Sequence, residues 1–140
     1  GAVVLDLEES VRAVADDLST SGYSVTYQCK GDGRYTRLQA AILSRVLREM
    51  SSNVLRHADY DRPVTITLSQ DANKARLVVT NGVSSSHRNL PSSGVGILGM
   101  KERLSTIGGS LNTLMDNGTW LTSASIPLSQ SPTQVIKGKS

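Results

Sequence analysis

The amino-acid sequence predicts an α/β protein in which helices cover one face of a mixed β-sheet, a two-layer α/β sandwich. Three observations support this class. Stretches with apolar residues at helical spacing alternate along the chain with stretches that alternate apolar and polar residues. Tight-turn sequences join four of the five strand-like stretches into two antiparallel hairpins. Helices interleaved with hairpins bury their apolar sides by packing in two layers.

The first half of the chain predicts a helix, a strand and a second, longer helix. Residues 6–20 repeat apolar side chains at helical spacing, and residues 23–29 alternate as a strand does. A capping-box pattern at Thr36 and Gln39 begins the long helix. Its apolar face continues for about six turns, so we expect it to end near residue 58.

The second half predicts two hairpins with a long loop and a helix between them. The predicted elements are strands at 64–68 and 75–79, a loop at 82–93, a helix at 94–107, and strands at 110–115 and 119–126. A loop longer than about a dozen residues inside a compact domain is unusual and often forms a lid or a binding loop.

The composition fits one folded domain and excludes several kinds of function. The chain has 140 residues, of which 38% are hydrophobic and 19% charged, unlike a disordered chain. One cysteine excludes an internal disulfide, and with two histidines it also excludes a zinc centre built from several Cys and His ligands. A net charge of +3 with 4% aromatic residues gives little support to nucleic-acid binding. No window approaches the roughly 18 apolar residues of a membrane span.

Three glycines stand where the long loop enters the third predicted helix. Gly94, Gly96 and Gly99 lie at a helix N-terminus, where free backbone N–H groups and the helix dipole favour a phosphate. The pattern does not directly follow a strand, and no βαβ crossover is predicted, so a dinucleotide-binding motif is not supported. A flexible glycine hinge without a ligand remains the alternative.

Polar residues also recur along one face of the long helix. Glu49, Asn53 and His57 are spaced by one turn each, and we expect their face to lie roughly opposite the apolar stripe of Ile42 and Val46. A carboxylate and an amide one turn apart offer hard oxygen ligands, which suit Mg²⁺ and phosphate better than zinc. The alternative is a solvated helix face without a ligand.

Taken together, these segments resemble the GHKL ATP-binding fold shared by gyrase-type ATPases and histidine kinases. Residues 48–58 resemble the N box of sensor histidine kinases related to the nitrate/nitrite and membrane-fluidity sensors. Residues 94–104 resemble the glycine box of the same subfamily, and Gly118-Thr119 resembles the third glycine box. The resemblance covers roughly residues 5–128.

This resemblance implies a Bergerat-type ATP-binding catalytic domain and specific residue roles. Residues 1–128 would form the domain, with a lid at about 82–96 and a disordered tail at 129–140. Asn53 would hold Mg²⁺, and Glu49 would be the catalytic acid that polarises the attacking phosphoacceptor or a water. The implied nucleotide-binding residues are Asn53, Arg56, His57, Asn81, Gly82, Gly94, Gly96, Ile97, Gly99 and Thr119.

One box departs from the family pattern. Relatives end a strand with an Asp whose carboxylate accepts a hydrogen bond from the adenine amino group. The strand phase of Leu77 and Val79 places Asn81 at this position, near Thr119, whereas an alternative register would place Thr80 there. We prefer Asn81, whose carbonyl can accept the adenine proton but without the strength of a charged acceptor.

The resemblance also implies a reaction and partners. With ATP and Mg²⁺ as cofactors, the domain would present the γ-phosphate to a His on a separate dimerisation helix, for relay to a response regulator. It is not expected to autophosphorylate alone, because His57 belongs to the N box and His87 to the serine-rich loop. The parent would be a membrane-anchored homodimer, with this domain on the cytoplasmic side.

Two other functions remain open. One is a degenerate, non-catalytic GHKL-fold interaction domain with weak nucleotide binding, which the Asn in place of the family Asp favours. The other is self-contained ATP hydrolysis, which ranks last because gyrase-type relatives generally need additional dimerisation elements.

Overall fold

The computed structural model describes residues 6–83 and 94–128. All the predicted helices and strands are present, in the predicted order. They are α1 (Leu7–Thr20), β1 (Val25–Gly31), α2 (Arg37–His57), β2 (Val64–Gln70), β3 (Lys74–Gly82), α3 (Gly94–Ser105), β4 (Ser110–Asp116) and β5 (Thr119–Pro127). Most of the predicted lid, and the predicted tail at 129–140, lie outside the described residues.

The strands form one mixed sheet, as predicted, in the order β1-β2-β3-β5-β4. β1 and β2 are parallel, and the other neighbouring pairs are antiparallel. The helix α2 connects the two parallel strands, so the chain does contain a βαβ crossover, which the sequence patterns did not predict. The glycine-rich segment lies outside this crossover, so the argument against a dinucleotide-binding motif still holds.

The core lies between one face of the sheet and the three helices. β2 shows the pattern: Val64, Ile66 and Leu68 are at most 1% exposed, while Thr65 and Thr67 on the other face are half-buried. α1 and α2 pack against each other, and α2 also packs against α3. None of the helices in the two described ranges is long and apolar enough to cross a membrane.

Side chains make hydrogen bonds to both ends of α2. Its N-terminus has the predicted capping box: Gln39 N–H donates to the Thr36 hydroxyl, and Thr36 N–H donates to the Gln39 side chain. At the other end, the Tyr23 hydroxyl lies 3.2 Å from the carbonyl oxygen of Val54 and donates to it. Tyr23 is therefore buried against α2, and β1 begins at Val25, two residues later than predicted.

Glycines with positive φ end α3 and shape the last hairpin. α3 ends at Ser105 rather than at the predicted residue 107, because Gly109 N–H turns back to donate to the Leu104 carbonyl around Gly108, whose φ is 76°. Asn117 and Gly118 have φ values of 51° and 75°, which is the backbone of a tight two-residue hairpin turn.

Candidate functional site

Three side chains of α2 meet at one place. The Nη2 of Arg56 donates to the Oδ1 of Asn53 at 3.0 Å and lies 3.7 Å from the Oε2 of Glu49. Asn53 is 6% exposed, whereas the side chains of Glu49 and Arg56 are 37% and 50% exposed. A single guanidinium group therefore lies between a buried amide oxygen and a half-exposed carboxylate.

Asn53 does not lie opposite the apolar stripe of α2, so that expectation is wrong. Val46 and Asn53 are both buried. Seven positions correspond to about two helical turns, which returns the chain to nearly the same side of the helix. The polar face thus borders the core, and the core restricts the Asn53 side chain while its Oδ1 bonds Arg56.

The residues around Asn53 fit a magnesium ion that is also held by a phosphate. The positive guanidinium of Arg56 contacts one oxygen of Asn53 and one of Glu49, so both oxygens accept a cationic partner. Among residues 6–83 and 94–128, no group of three or more His, Cys, Asp or Glu side chains could hold a metal. Mg²⁺ commonly takes one or two protein oxygens and completes its shell with phosphates and waters, so the Oδ1 of Asn53 would be enough to hold it beside a phosphate.

Asn81 is the next-to-last residue of β3 and lies on the face of the sheet that the helices cover. It is 3% exposed and in phase with the buried Leu77 and Val79, as the preferred register requires. Its Nδ2 donates to the Gly82 carbonyl at 3.0 Å, so its Oδ1 is directed away from that carbonyl. Thr80 is on the opposite face, where its hydroxyl bonds that of Thr65.

The register of the last hairpin determines what lies beside Asn81. Trp120 is its partner on β5, and Thr119 is the partner of Gly82. The Thr119 hydroxyl accepts from the Nη2 of Arg62 at 3.1 Å, on the open face of the sheet. Within the part of the chain that the structure describes, the buried Nε1 of Trp120 has no hydrogen-bond partner.

The glycine-rich segment begins α3, as predicted. Gly94 is the first residue of the helix, and Gly96 and Gly99 follow in its first two turns. Ile97 packs partly against the core, and Met100 is 1% exposed. These two residues anchor α3, and α3 packs against α2, the helix that carries Asn53.

Backbone bonds join the end of α2 to the end of β3. His57 is the last residue of α2 and is half-buried, and Ala58 forms a β-bridge with Val83. Asp59 N–H donates to the Gly82 carbonyl at 2.9 Å. The residues predicted for the phosphate end and for the base end of the site are therefore connected through the main chain.

Sequence analysis missed Arg62 and Trp120 as parts of this region. Arg62 lies in the connection between α2 and β2, which carries no recognisable motif. Trp120 follows Gly118-Thr119 on a strand, but its position opposite Asn81 depends on the pairing of two strands that are distant in sequence. Strand alternation alone indicates which face of the sheet a residue lies on. It does not indicate which residue of the neighbouring strand lies opposite it.

This sheet order, with its helices on one face, defines the α/β fold of the ATP-binding catalytic domains of histidine kinases. The mycobacterial sensor histidine kinase MprB superposes with a TM-score of 0.62 at 18% identity, over 88% of this chain and 95% of that chain. The blue-light activated histidine kinase EL346 of Erythrobacter litoralis superposes with a TM-score of 0.64 at 18% identity, over 86% of this chain and 41% of that chain.

A sequence relative agrees with the fold. The sensor histidine kinase YvfT of Bacillus subtilis is 31% identical over 108 residues, which are 75% of this chain. The chain spans 28% of the length of that relative. No family model matches the chain. The chain thus has the fold of histidine-kinase catalytic domains and resembles a sensor histidine kinase in sequence, while the nitrate/nitrite-sensor subfamily stays a prediction.

Proposed function

We propose that the chain is the ATP-binding catalytic domain of a sensor histidine kinase. It presents the γ-phosphate of ATP to a His on a separate dimerisation helix, for relay to a response regulator. The observation that carries this proposal is the contact of Arg56 with both Asn53 and Glu49 on α2, the helix against which the glycine-rich α3 packs. Phosphoryl transfer depends mainly on positioning and on stabilising charge, and these groups are suited to both tasks.

In this proposal, α2 and α3 hold the phosphate end of the nucleotide. Bound Mg²⁺ would neutralise charge on the phosphates, and Asn53 would be its protein ligand. Arg56 and His57 lie one turn further along α2, where a positive or donor group offsets phosphate charge. Glu49 is the residue assigned to polarise the attacking group. The N–H groups in the first turn of α3, including those of Gly94 and Gly96, have no partner within the helix and would bind phosphate oxygens.

The base end of the proposed site lies where β3 ends and β5 begins. The Oδ1 of Asn81 would accept the adenine amino proton, since its Nδ2 is already bonded to the Gly82 carbonyl. Trp120 on the neighbouring strand flanks this amide on the helix-covered face. Thr119 would contribute to the base end only through its backbone, because its hydroxyl is bonded to Arg62 on the other face of the sheet.

We further propose the extent and context of the domain. Residues 1–128 form it, with a lid at about 82–96 and a tail at 129–140. Its partners are the dimerisation and phosphoacceptor helices of the same parent protein, and a response regulator. The parent protein is a homodimer. The domain acts in the cytoplasm, and the parent is membrane-anchored.

Calorimetry tests the binding claim. Titration of ATP into the 140-residue chain should release heat in the presence of Mg²⁺, and the affinity should fall when EDTA replaces Mg²⁺. The absence of heat at millimolar ATP would exclude the ATP-binding claim. Adding a phosphoacceptor-helix domain of a sensor histidine kinase with γ-labelled ATP should then produce phosphohistidine, while the chain alone should stay unlabelled.

A degenerate interaction domain is the second candidate. It is favoured by Asn81, because an uncharged amide replaces the carboxylate that relatives use for adenine. This candidate predicts weak nucleotide binding and no phosphohistidine on any supplied acceptor. Steady release of phosphate by the chain alone would instead support self-contained ATP hydrolysis.

A further inference from the structure

Arg62 connects three segments at the end of the sheet. Its Nη1 donates to the Gly118 carbonyl at 2.9 Å and its Nη2 to the Thr119 hydroxyl at 3.1 Å. The same Gly118 carbonyl accepts from Val83 N–H at 2.8 Å. Arg62 therefore links the connection after α2 to the last hairpin at the point where β3 ends.

The backbone holds Arg62 in place for this contact. Asp59 organises the connection, since its carboxylate accepts from Asp61 N–H at 2.9 Å and its carbonyl accepts from Arg62 N–H at 3.2 Å. Asp59 N–H in turn donates to the Gly82 carbonyl. The position of the Arg62 side chain is thus tied to the same residue that fixes Gly82.

The side chain of Arg62 fills the space that a larger residue at position 82 would need. A Cβ atom added to Gly82 would lie 2.5 Å from both the Cδ and the Nε of Arg62. Such a distance is far inside van der Waals contact, so the two side chains cannot coexist without movement. Gly82 faces Arg62 on the open side of the sheet, away from the helices, which gives a reason for glycine here that involves no nucleotide.

Resting on the proposed function, we propose that Arg62 is a positioning residue that orients Asn81 and so sets the purine selectivity of the site. Arg62 packs on Gly82, and the Gly82 carbonyl accepts from both the Asn81 Nδ2 and Asp59 N–H. Holding that carbonyl in place also holds the Asn81 amide, with its Oδ1 directed away from the carbonyl. Arg62 itself lies on the face of the sheet opposite Asn81, so its effect on the base would be indirect.

The test compares Arg62→Ala, Gly82→Ala and the double variant in the 140-residue chain. Calorimetry with Mg²⁺-ATP and Mg²⁺-GTP should show that each single change weakens ATP binding at least about fivefold and reduces the preference for ATP over GTP. The ATP affinity of the double variant should fall no further than that of the weaker-binding single variant, because the two changes break the same contact. Arg62→Lys, which keeps the aliphatic stem over Gly82, should restore part of the selectivity.

Arg76→Ala is the matched control. Arg76 also lies on the open face of the sheet and bonds a hydroxyl, that of Ser123 at 2.9 Å, but six positions before Gly82 on β3. It should leave the ATP-to-GTP ratio at the wild-type value. An unchanged ratio in Arg62→Ala and in Gly82→Ala, or strictly additive losses in the double variant, would overturn the proposal.

A readout without nucleotide separates this inference from the proposed function. Thr119, which Arg62 bonds, directly precedes Trp120, the single tryptophan of the chain. Arg62→Ala should therefore change the Trp120 emission maximum and its quenching by acrylamide. Wild-type chain that binds no ATP would refute the proposed function, whereas unchanged Trp120 emission and quenching in Arg62→Ala would refute the positioning role.

Discussion

The guanidinium of Arg56 bonds the same amide oxygen of Asn53 that the proposed function assigns to Mg²⁺. Both residues lie on α2, three positions apart, and the carboxylate of Glu49 lies one turn before them. A cation at Asn53 Oδ1 would share this oxygen with Arg56 or displace it. This relationship leads to separate predictions for the two residues.

Asn53→Ala should abolish the Mg²⁺ dependence of ATP binding and lower the affinity at least about tenfold, since it removes one oxygen ligand of a hard cation. Calorimetric titration with Mg²⁺ and with EDTA measures this difference. The matched control is Asn112→Ala, which removes an exposed amide from β4. If Asn53→Ala still bound ATP more tightly with Mg²⁺ than with EDTA, Asn53 would not be the ligand.

Arg56→Gln should weaken the binding of ATP severalfold and leave the binding of adenosine unchanged. The reason is that the guanidinium would act on the phosphates alone, where charge-assisted hydrogen bonds are the strong ones. Competition titrations with the two ligands give the comparison. Arg37→Gln, at the exposed start of the same helix, is the control. Equal losses for ATP and adenosine would contradict a phosphate-specific role.

Trp120 should report the arrival of a base at Asn81. It is the single tryptophan, it lies opposite Asn81 on the neighbouring strand, and its Nε1 is buried. ATP and adenosine should both change its emission, whereas inorganic triphosphate should not. In Asn81→Ala the response to adenosine should be lost, because the amide acceptor is missing. A response to triphosphate as large as that to ATP would place the base elsewhere.

Alkaline pH should destabilise the fold through two buried tyrosines. Burial, and then the nearby Tyr60, raise the pKa of Tyr23 to about 12, and burial raises the pKa of Tyr35 to about 12 as well. The unfolded phenols lose their protons near pH 10. Stability is therefore fully present below about pH 10 and falls as the pH rises toward 12, because only the unfolded state releases protons there.

Urea unfolding between pH 7 and 11 measures this decline. Tyr23→Phe should reduce the decline and should cost about 1 kcal/mol at pH 7, since the hydroxyl bonds to Val54 and Ala58 are lost at the end of α2. Tyr27→Phe is the control, because the Tyr27 side chain is 44% exposed. A decline of the same size in Tyr23→Phe and wild type would exclude Tyr23 as a source.

Local interactions explain why much of the fold could be predicted from the sequence. The capping box of Thr36 and Gln39, the Asn117-Gly118 turn and the glycines that follow α3 all act between residues close in the chain. Such contacts depend on residue type and spacing, which a sequence displays directly. The N-box and glycine-box segments were recognisable for the same reason, because each is a short, continuous stretch.

The tertiary structure decided which groups share a place. The apolar alternation of β3 in the sequence already favoured Asn81 over Thr80 for the helix-covered face. The pairing of Asn81 with Trp120, in contrast, depends on the register of β3 with β5. The burial of Asn53 and the span of Arg62 from its connection to Gly118 likewise depend on packing. The sequence alone determined the elements and the chemical groups of the candidate site. Contacts between distant segments decided its geometry, because they depend on how the helices and the sheet fit together.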